Sequence, residues 1–336
     1  MMHMTRKLVL AAAMLAGISS AHANEFVGRS DVETFIDSMV AEHGFDRAQL
    51  VTVLGEAESK QEVLDAIARP AEKTKPWHEY RRIFITDRRI REGAEFWRAN
   101  REALRRAQEA FSVPAQIIVA TLGVETRYGR QRGGYRVIDS LSTLAFDYPP
   151  RARFFRSELE QFLLLAREEG KVPTELMGSY AGAMGYGQFI PSSYRHFAVD
   201  FDGDGIRDIW DSASDAIGSV ANYYQRHGWR IGDGVAWPAP ELKEDAVEMA
   251  NGTLRPNRLL GELVSGDSVL PRGVERDTKV MLIHLEGDHG DEYWVGLHNF
   301  YVITRYNRSH LYAMAVYQLA EAILGRLGGV LARSER

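Results

Sequence analysis

The sequence predicts a mainly α-helical protein with one small β-rich region, an α+β fold. Three observations lead there. Apolar residues recur at helical spacing from about residue 31 to 228 and again from 311 to 327. Between 229 and 299 short runs are punctuated by proline and glycine, and residues 279–285 have the β-branched character of a strand. One helical stretch, residues 113–130, is apolar on nearly every side, the pattern of a helix surrounded by protein. A chain of 336 residues can bury such a core and has room for two or three domains.

Residues 1–23 have the form of an export signal. Arg6 and Lys7 precede an apolar run over 8–18, and Ala21-His22-Ala23 is a small-x-small cleavage site. Cleavage before Asn24 leaves a protein expected to be soluble in the periplasm, since neither that run nor any other segment is long enough to span a bilayer. The absence of cysteine excludes disulfides, a thiolate nucleophile and a lipid-bearing cysteine. A net charge of −5 gives no global basic signal for nucleic acid.

Residues 24–110 are helical in pattern. Phe35, Ile36, Met39 and Val40 form one face, Gly44 ends it, and Asp46 caps a second helix carrying Leu50, Val53 and Leu54. After a proline-containing loop, Trp77, Tyr80 and Phe84 sit among arginines, the texture of a solvated face over buried rings. A helix is expected over 90–111.

Ser112 is a candidate N-cap for the central helix, with Pro114 in its first turn. Glu125 is the one acid near its end. Desolvation and the negative end of the helix dipole both favour the protonated acid, which can donate to a leaving oxygen as glycosidic cleavage requires. The competing reading pairs Glu125 with Arg127 or Arg130 and gives it no chemistry.

A loop follows at 131–135, then helices ending before Pro149-Pro150 and at Gly170. Gly182, Gly185 and Gly187 lie in SYAGAMGYGQFIPSSY (179–194), where small residues let a ligand approach the backbone. No phosphate-loop pattern is present. DFDGDG places Asp200, Asp202 and Asp204 at alternate positions before Gly205, the opening of a calcium loop in which Ile206 offers its carbonyl. Asp211 occupies the usual closing position, and Asp215 is the alternative if the loop is longer. A helix over 215–227 carries Tyr223 and Tyr224. His284, Asp288, His289 and Asp291 fit a polar hairpin turn better than a metal site. Tyr306 and Asn307 precede the last helix.

Taken together, GVETRYGR, SYAGAMGYGQFIPSSY, DFDGDGIRDIWD, DAIGSVANYY and NFYVITRYN, in this order, resemble the membrane-bound lytic murein transglycosylase B family, including its soluble forms. FIDSMVAEHGFDRAQL and FWRANREAL extend the resemblance over most of the chain. It implies a lysozyme-like catalytic domain at 111–228, completed by 299–310. An α-helical domain at 24–110, joined by the helix at 311–330, and a small β-rich domain at 229–298 flank it. It implies cleavage of the MurNAc-β-1,4-GlcNAc bond of peptidoglycan with 1,6-anhydroMurNAc ends and no consumption of water. Glu125 is then the catalytic acid, and Ser179, Gln188, Tyr223, Tyr306 and Asn307 contact the glycan.

The resemblance also implies structural calcium held by Asp200, Asp202, Asp204, Ile206 and Asp215, no organic cofactor, and glycan strands as the partner, with cell-wall enzyme complexes as a further possibility. Only one carboxylate is evident where hydrolases use two. A muramidase that hydrolyses with water and a non-catalytic glycan-binding protein are the alternatives. The family's paired arginines after Tyr-Pro are reduced here to Arg151, with Pro150 in the first position, which weakens the expectation of a stem-peptide preference.

Overall fold

A computed structural model describes residues 25–69, 75–266, 268–271 and 273–334, with side chains through 328. The export-signal expectation at 1–23 lies outside these residues. Among the described residues no helix is long and apolar enough to cross a membrane. The fold is mainly helical with small antiparallel sheets.

The N-terminal helices are α1 (Ser30–His43), α2 (Arg47–Gly55), α3 (Gln61–Ile67), α4 (Trp77–Phe84), α5 (Asp87–Ala99) and α6 (Arg101–Phe111). Gly44 ends α1 in the left-handed region at φ 64°, and the Asp46 carboxylate caps α2 by accepting from the Gln49 N–H at 2.8 Å. The single helix expected over 90–111 is two. Asn100 breaks it at φ −114°, ψ 24°, and its side chain donates back to the Phe96 carbonyl at 2.9 Å, a local bond that competes with helix continuation.

The central helix α7 runs Ala115–Thr126 and is buried on nearly every side. Ser112 is not its N-cap. That residue ends α6 at φ 59°, Pro114 takes the capping position, and Gln108 Oε1 accepts the Ala115 N–H at 3.0 Å in its place. Helices α8 (Val137–Phe146) and α9 (Ala152–Glu168) pack on one another, and α10 (Pro191–Phe197) packs on α9. The helix α11 (Ala213–Arg226) lies against α6 and α7. Truncating a fully buried α7 side chain such as Leu122 to alanine costs about 2–5 kcal/mol.

Strands β1 (Tyr135–Arg136) and β2 (Met177–Gly178) form a two-residue ladder. The β-rich region adds β3 (Ala236–Pro238), β4 (Arg258–Leu259), β5 (Lys279–Gly287) and β6 (Gly290–Gly296), ordered β3-β6-β5-β4, and the short helix α12 (Leu260–Leu263). The expected strand and polar turn at Asp288-His289 are both present, with Gly287 paired to Gly290.

β5 is buried on both faces because alternate side chains serve different cores. Met281, Ile283 and Leu285 join the main core, whereas Val280 and Leu282 join a second cluster with Leu260, Leu263 and Val295. The main core is continuous from Phe26 through α7 to Ile323, so residues 25–110 and the central helices share one apolar interior. Helix α13 (His298–Tyr306) leads into α14 (His310–Ser334), which packs against α7, α5 and α13.

Candidate active site

Three successive residues with positive φ, Arg127 (51°), Tyr128 (61°) and Gly129 (83°), turn the chain sharply just beyond Glu125. Non-glycine residues adopt this region at a cost, so the surrounding structure must hold it. It does so through hydrogen bonds at the end of α7. Thr126 Oγ1 donates to the Tyr186 carbonyl at 2.7 Å and accepts from the Gly129 N–H at 2.9 Å. Arg127 forks onto Glu92 and Arg130 reaches the same carboxylate at 3.7 Å. Both arginines thus converge on Glu92, which is held down to about 2, chiefly by the Arg127 bond.

Glu125 is half-buried. Tyr312, from the first turn of α14, donates its hydroxyl to Glu125 Oε1 at 2.5 Å. Burial, and after it the charge of Glu125, raise the phenols of Tyr306 and Tyr312 well above their ordinary value. Tyr224 is raised by the same two causes against a hydrogen bond from Thr121. Tyr223 is pushed up to about 12, chiefly by burial. Tyr312 touches Glu125 directly, Tyr306 stacks on Tyr312, and Tyr223 and Tyr224 pack on Tyr306.

Each ring is fixed by its own partner. The Tyr306 hydroxyl donates to the Gly187 carbonyl at 2.6 Å, Tyr223 to the Arg305 carbonyl at 2.6 Å, and Tyr224 meets Thr121 Oγ1 at 2.8 Å. Tyr306 and Tyr312 stack nearly parallel, at 10° and 6.4 Å between ring centres. Gly187 is small for a reason: a Cβ there would stand 2.8 Å from the Tyr306 hydroxyl. Tyr223 and Tyr306, both expected to contact the glycan, thus direct their hydroxyls at backbone carbonyls.

Ser179 Oγ accepts the N–H groups of Ala181 and Ala183 at 3.2 and 3.1 Å. Gln188 sits at φ 50°, and its amide nitrogen donates to the Arg132 and Gly185 carbonyls at 3.2 and 3.0 Å. Both therefore belong to the tightly turned segment that Thr126 ties to Glu125. Asn307 lines a cavity of about 690 Å³ with Tyr180, Arg151 and His310, where α14 begins. Glu125 does not line that cavity; Tyr180 of the glycine-rich segment does.

Asp200, Asp202 and Asp204 bring carboxylate oxygens within 4.8 Å of one another. Gly203 and Gly205 supply the left-handed turns at φ 84° and 92°. These hard oxygen donors on a tight loop fit calcium. Neither candidate closing acid joins the cluster: Asp211 pairs with Arg132 at 2.9 Å, and buried Asp215 accepts the N–H groups of Phe201, Asp202 and Asp208.

Sequence reasoning did not single out Tyr312, and it named Tyr224 without a role. Tyr312 and Glu125 are 187 residues apart. The available signal was one more tyrosine six positions after Tyr306, on an otherwise apolar helix.

A half-buried carboxyl bonded to a tyrosine, beside further tyrosines and a glycine-rich segment, has the make-up of a glycan-cleaving site. The chain matches the transglycosylase SLT domain over residues 28–321, and it belongs to the lytic murein transglycosylase B family. It is a lytic transglycosylase acting on peptidoglycan.

The chain is 45% identical over 308 residues to membrane-bound lytic murein transglycosylase B of Escherichia coli K12, covering 89% of this chain and 84% of that one. Among solved structures, soluble lytic transglycosylase SltB1 from Pseudomonas aeruginosa is 51% identical, with a TM-score of 0.81 over 88% of this chain and 98% of that one. The Escherichia coli lytic transglycosylase Slt35, in complex with calcium, is 44% identical with a TM-score of 0.82 over 91% and 96%. SltB3 from Pseudomonas aeruginosa, in complex with NAG-anhNAM-pentapeptide, is 29% identical with a TM-score of 0.74 over 89% and 80%.

Proposed function

We propose that the enzyme cleaves the MurNAc-β-1,4-GlcNAc bond without water, leaving 1,6-anhydroMurNAc ends, and that Glu125 is its single acid and base. The carboxylic acid protonates the leaving GlcNAc oxygen as the glycosidic bond breaks. The resulting carboxylate then takes the proton of the muramic acid 6-hydroxyl while that oxygen bonds to the anomeric carbon. The proton count closes and Glu125 is restored. The observation that carries this reading is the Tyr312–Glu125 contact, with Tyr306 stacked on Tyr312 and Tyr223 and Tyr224 packed on Tyr306.

The substrate N-acetyl group takes the place of a second carboxylate by stabilising the developing positive charge. A hydroxyl accepting two backbone N–H bonds still has its proton to donate, so Ser179 is assigned to the acetamido oxygen. Gln188 has committed its amide protons to backbone and offers its oxygen to an N–H. The half-buried Tyr306 is assigned to the apolar face of a sugar, with the Tyr223 ring packed behind it. Asn307 is assigned to the strand at the 690 Å³ cavity, which it lines together with Tyr180 of the glycine-rich segment. The bound pentapeptide fragment of SltB3 supports glycan with attached peptide as the substrate class.

Asp200, Asp202, Asp204 and the Ile206 carbonyl are assigned to a structural calcium, with Asp215 bracing the loop or closing the site after a small rearrangement; the calcium complex of Slt35 supports this. A bound calcium would neutralise the clustered acids and take no part in cleavage. The leader-like sequence at 1–23 supports a periplasmic enzyme, with residues 24–110 and the last helix as a flanking domain, 111–228 with 299–310 as the catalytic core, and 229–298 as the β-rich domain.

Glu125→Gln tests the assignment. Loss of cleavage with retained glycan binding and an unchanged melting temperature is expected. Cleavage at the wild-type rate would exclude Glu125.

A further inference from the structure

A second concave site lies where the β-rich sheet meets α13. Its volume is about 320 Å³, and its walls are Arg230, Arg255, Pro256, Lys279, His298 and Tyr301. None of these residues lines the 690 Å³ cavity beside the glycan groove. We propose that this pocket binds a phosphate-class dianion, free or carried on a sugar.

Three permanent cations from separate segments converge here in a chain whose net charge is −5. Cations set close together need either local carboxylates, as Arg105 has in Glu102 and Glu109, or an anion from solution. The pocket supplies little of the first. Among the described residues Arg255 and Lys279 have no carboxylate within 4.0 Å, and Arg230 reaches Asp233 only at 3.9 Å. Like charges gathered in a concavity raise the free energy of the empty site and focus field onto an arriving anion.

The geometry selects the kind of anion. The Arg255 guanidinium lies over the Tyr301 ring at 5.4 Å, which holds its fork in place, and two guanidinium groups with an ammonium match several oxygens around one centre. The first turn of the nine-residue α13 forms one wall and has no side-chain cap, so its dipole adds positive potential. Three cations and a helix terminus exceed what one carboxylate neutralises.

Calorimetric titration of the full chain in calcium-free buffer, at constant ionic strength, tests this. The probes are inorganic phosphate, N-acetylglucosamine 1-phosphate and acetate. Phosphate should saturate a single site and bind about tenfold or more tighter than acetate. Arg255→Gln and Lys279→Gln should each weaken phosphate several-fold without moving the melting temperature. Tighter binding of the sugar phosphate identifies a sugar-borne group, and tighter inorganic phosphate a free ion. The proposal fails if phosphate gives no saturable heat, if acetate matches it, or if both variants bind like wild type.

Discussion

Tyr312 donates its hydroxyl to Glu125 Oε1 across 2.5 Å, joining the last helix of the chain to the acid at the end of the central one. The bond fixes which way the carboxyl points. A glycosidic oxygen must come within hydrogen-bond reach of that carboxyl to exchange a proton with it, so the contact bears on geometry before it bears on acidity.

Tyr312→Phe keeps the ring and its stacking on Tyr306 while removing the donor. A hydrogen bond to a charged group contributes about 1.5–3 kcal/mol, so kcat should fall roughly tenfold to a hundredfold with KM little changed. Steady-state kinetics on purified glycan strands checks this, with a thermal melt to exclude unfolding.

Gly187→Ala should damage the same site from the other side. The added methyl would stand 2.8 Å from the Tyr306 hydroxyl and displace a ring that contacts Tyr223, Tyr224 and Tyr312. Tyr306→Phe should be milder, since it only leaves the Gly187 carbonyl without its donor, at about 1–3 kcal/mol. Cleavage rates ordered wild type, Tyr306→Phe, Gly187→Ala are expected, and the reverse order of the two variants would contradict the packing argument.

The Glu92–Arg127 pair should make stability fall in acid. The folded value of Glu92, about 2, lies below its ordinary value of 4.5. Its contribution is therefore fully present above pH 4.5 and is lost as pH falls toward 2. Urea midpoints measured across that window should drop for wild type and drop less steeply for Glu92→Gln, which should also be the less stable protein at pH 7.

Calcium should raise the melting temperature by several degrees at saturation, because a ligand held a hundredfold above its dissociation constant stabilises by about 2.7 kcal/mol. Asp204→Asn should reduce that increment. Cleavage by either protein below its melting temperature should not depend on calcium.

Much of this architecture was legible in the sequence because it rests on local chemistry. Gly44, Asp46 and the apolar, partly β-branched run at 279–285 act within a few residues of themselves, and the apolar surround of α7 shows as plain composition. The failures came where a distant or competing partner decides. Asn100 divides the helix over 90–111 by bonding to Phe96, and Gln108 takes over the capping role expected of Ser112. At the site, Glu125, Ser179 and Gln188 are marked by their motifs. The diversion of Arg127 to Glu92, and the arrival of Tyr312 from the far end of the chain, depend on tertiary packing that no local pattern records.

The most direct test of a single acid that gives and then reclaims one proton is the chemistry of the product ends. Purified peptidoglycan digested in oxygen-18 water and analysed by mass spectrometry should yield muropeptides ending in 1,6-anhydroMurNAc, each lighter by one water than the reducing form and free of the label. Reducing ends carrying oxygen-18 as the main product would show that water attacks the anomeric carbon, and the one-carboxyl account would be wrong.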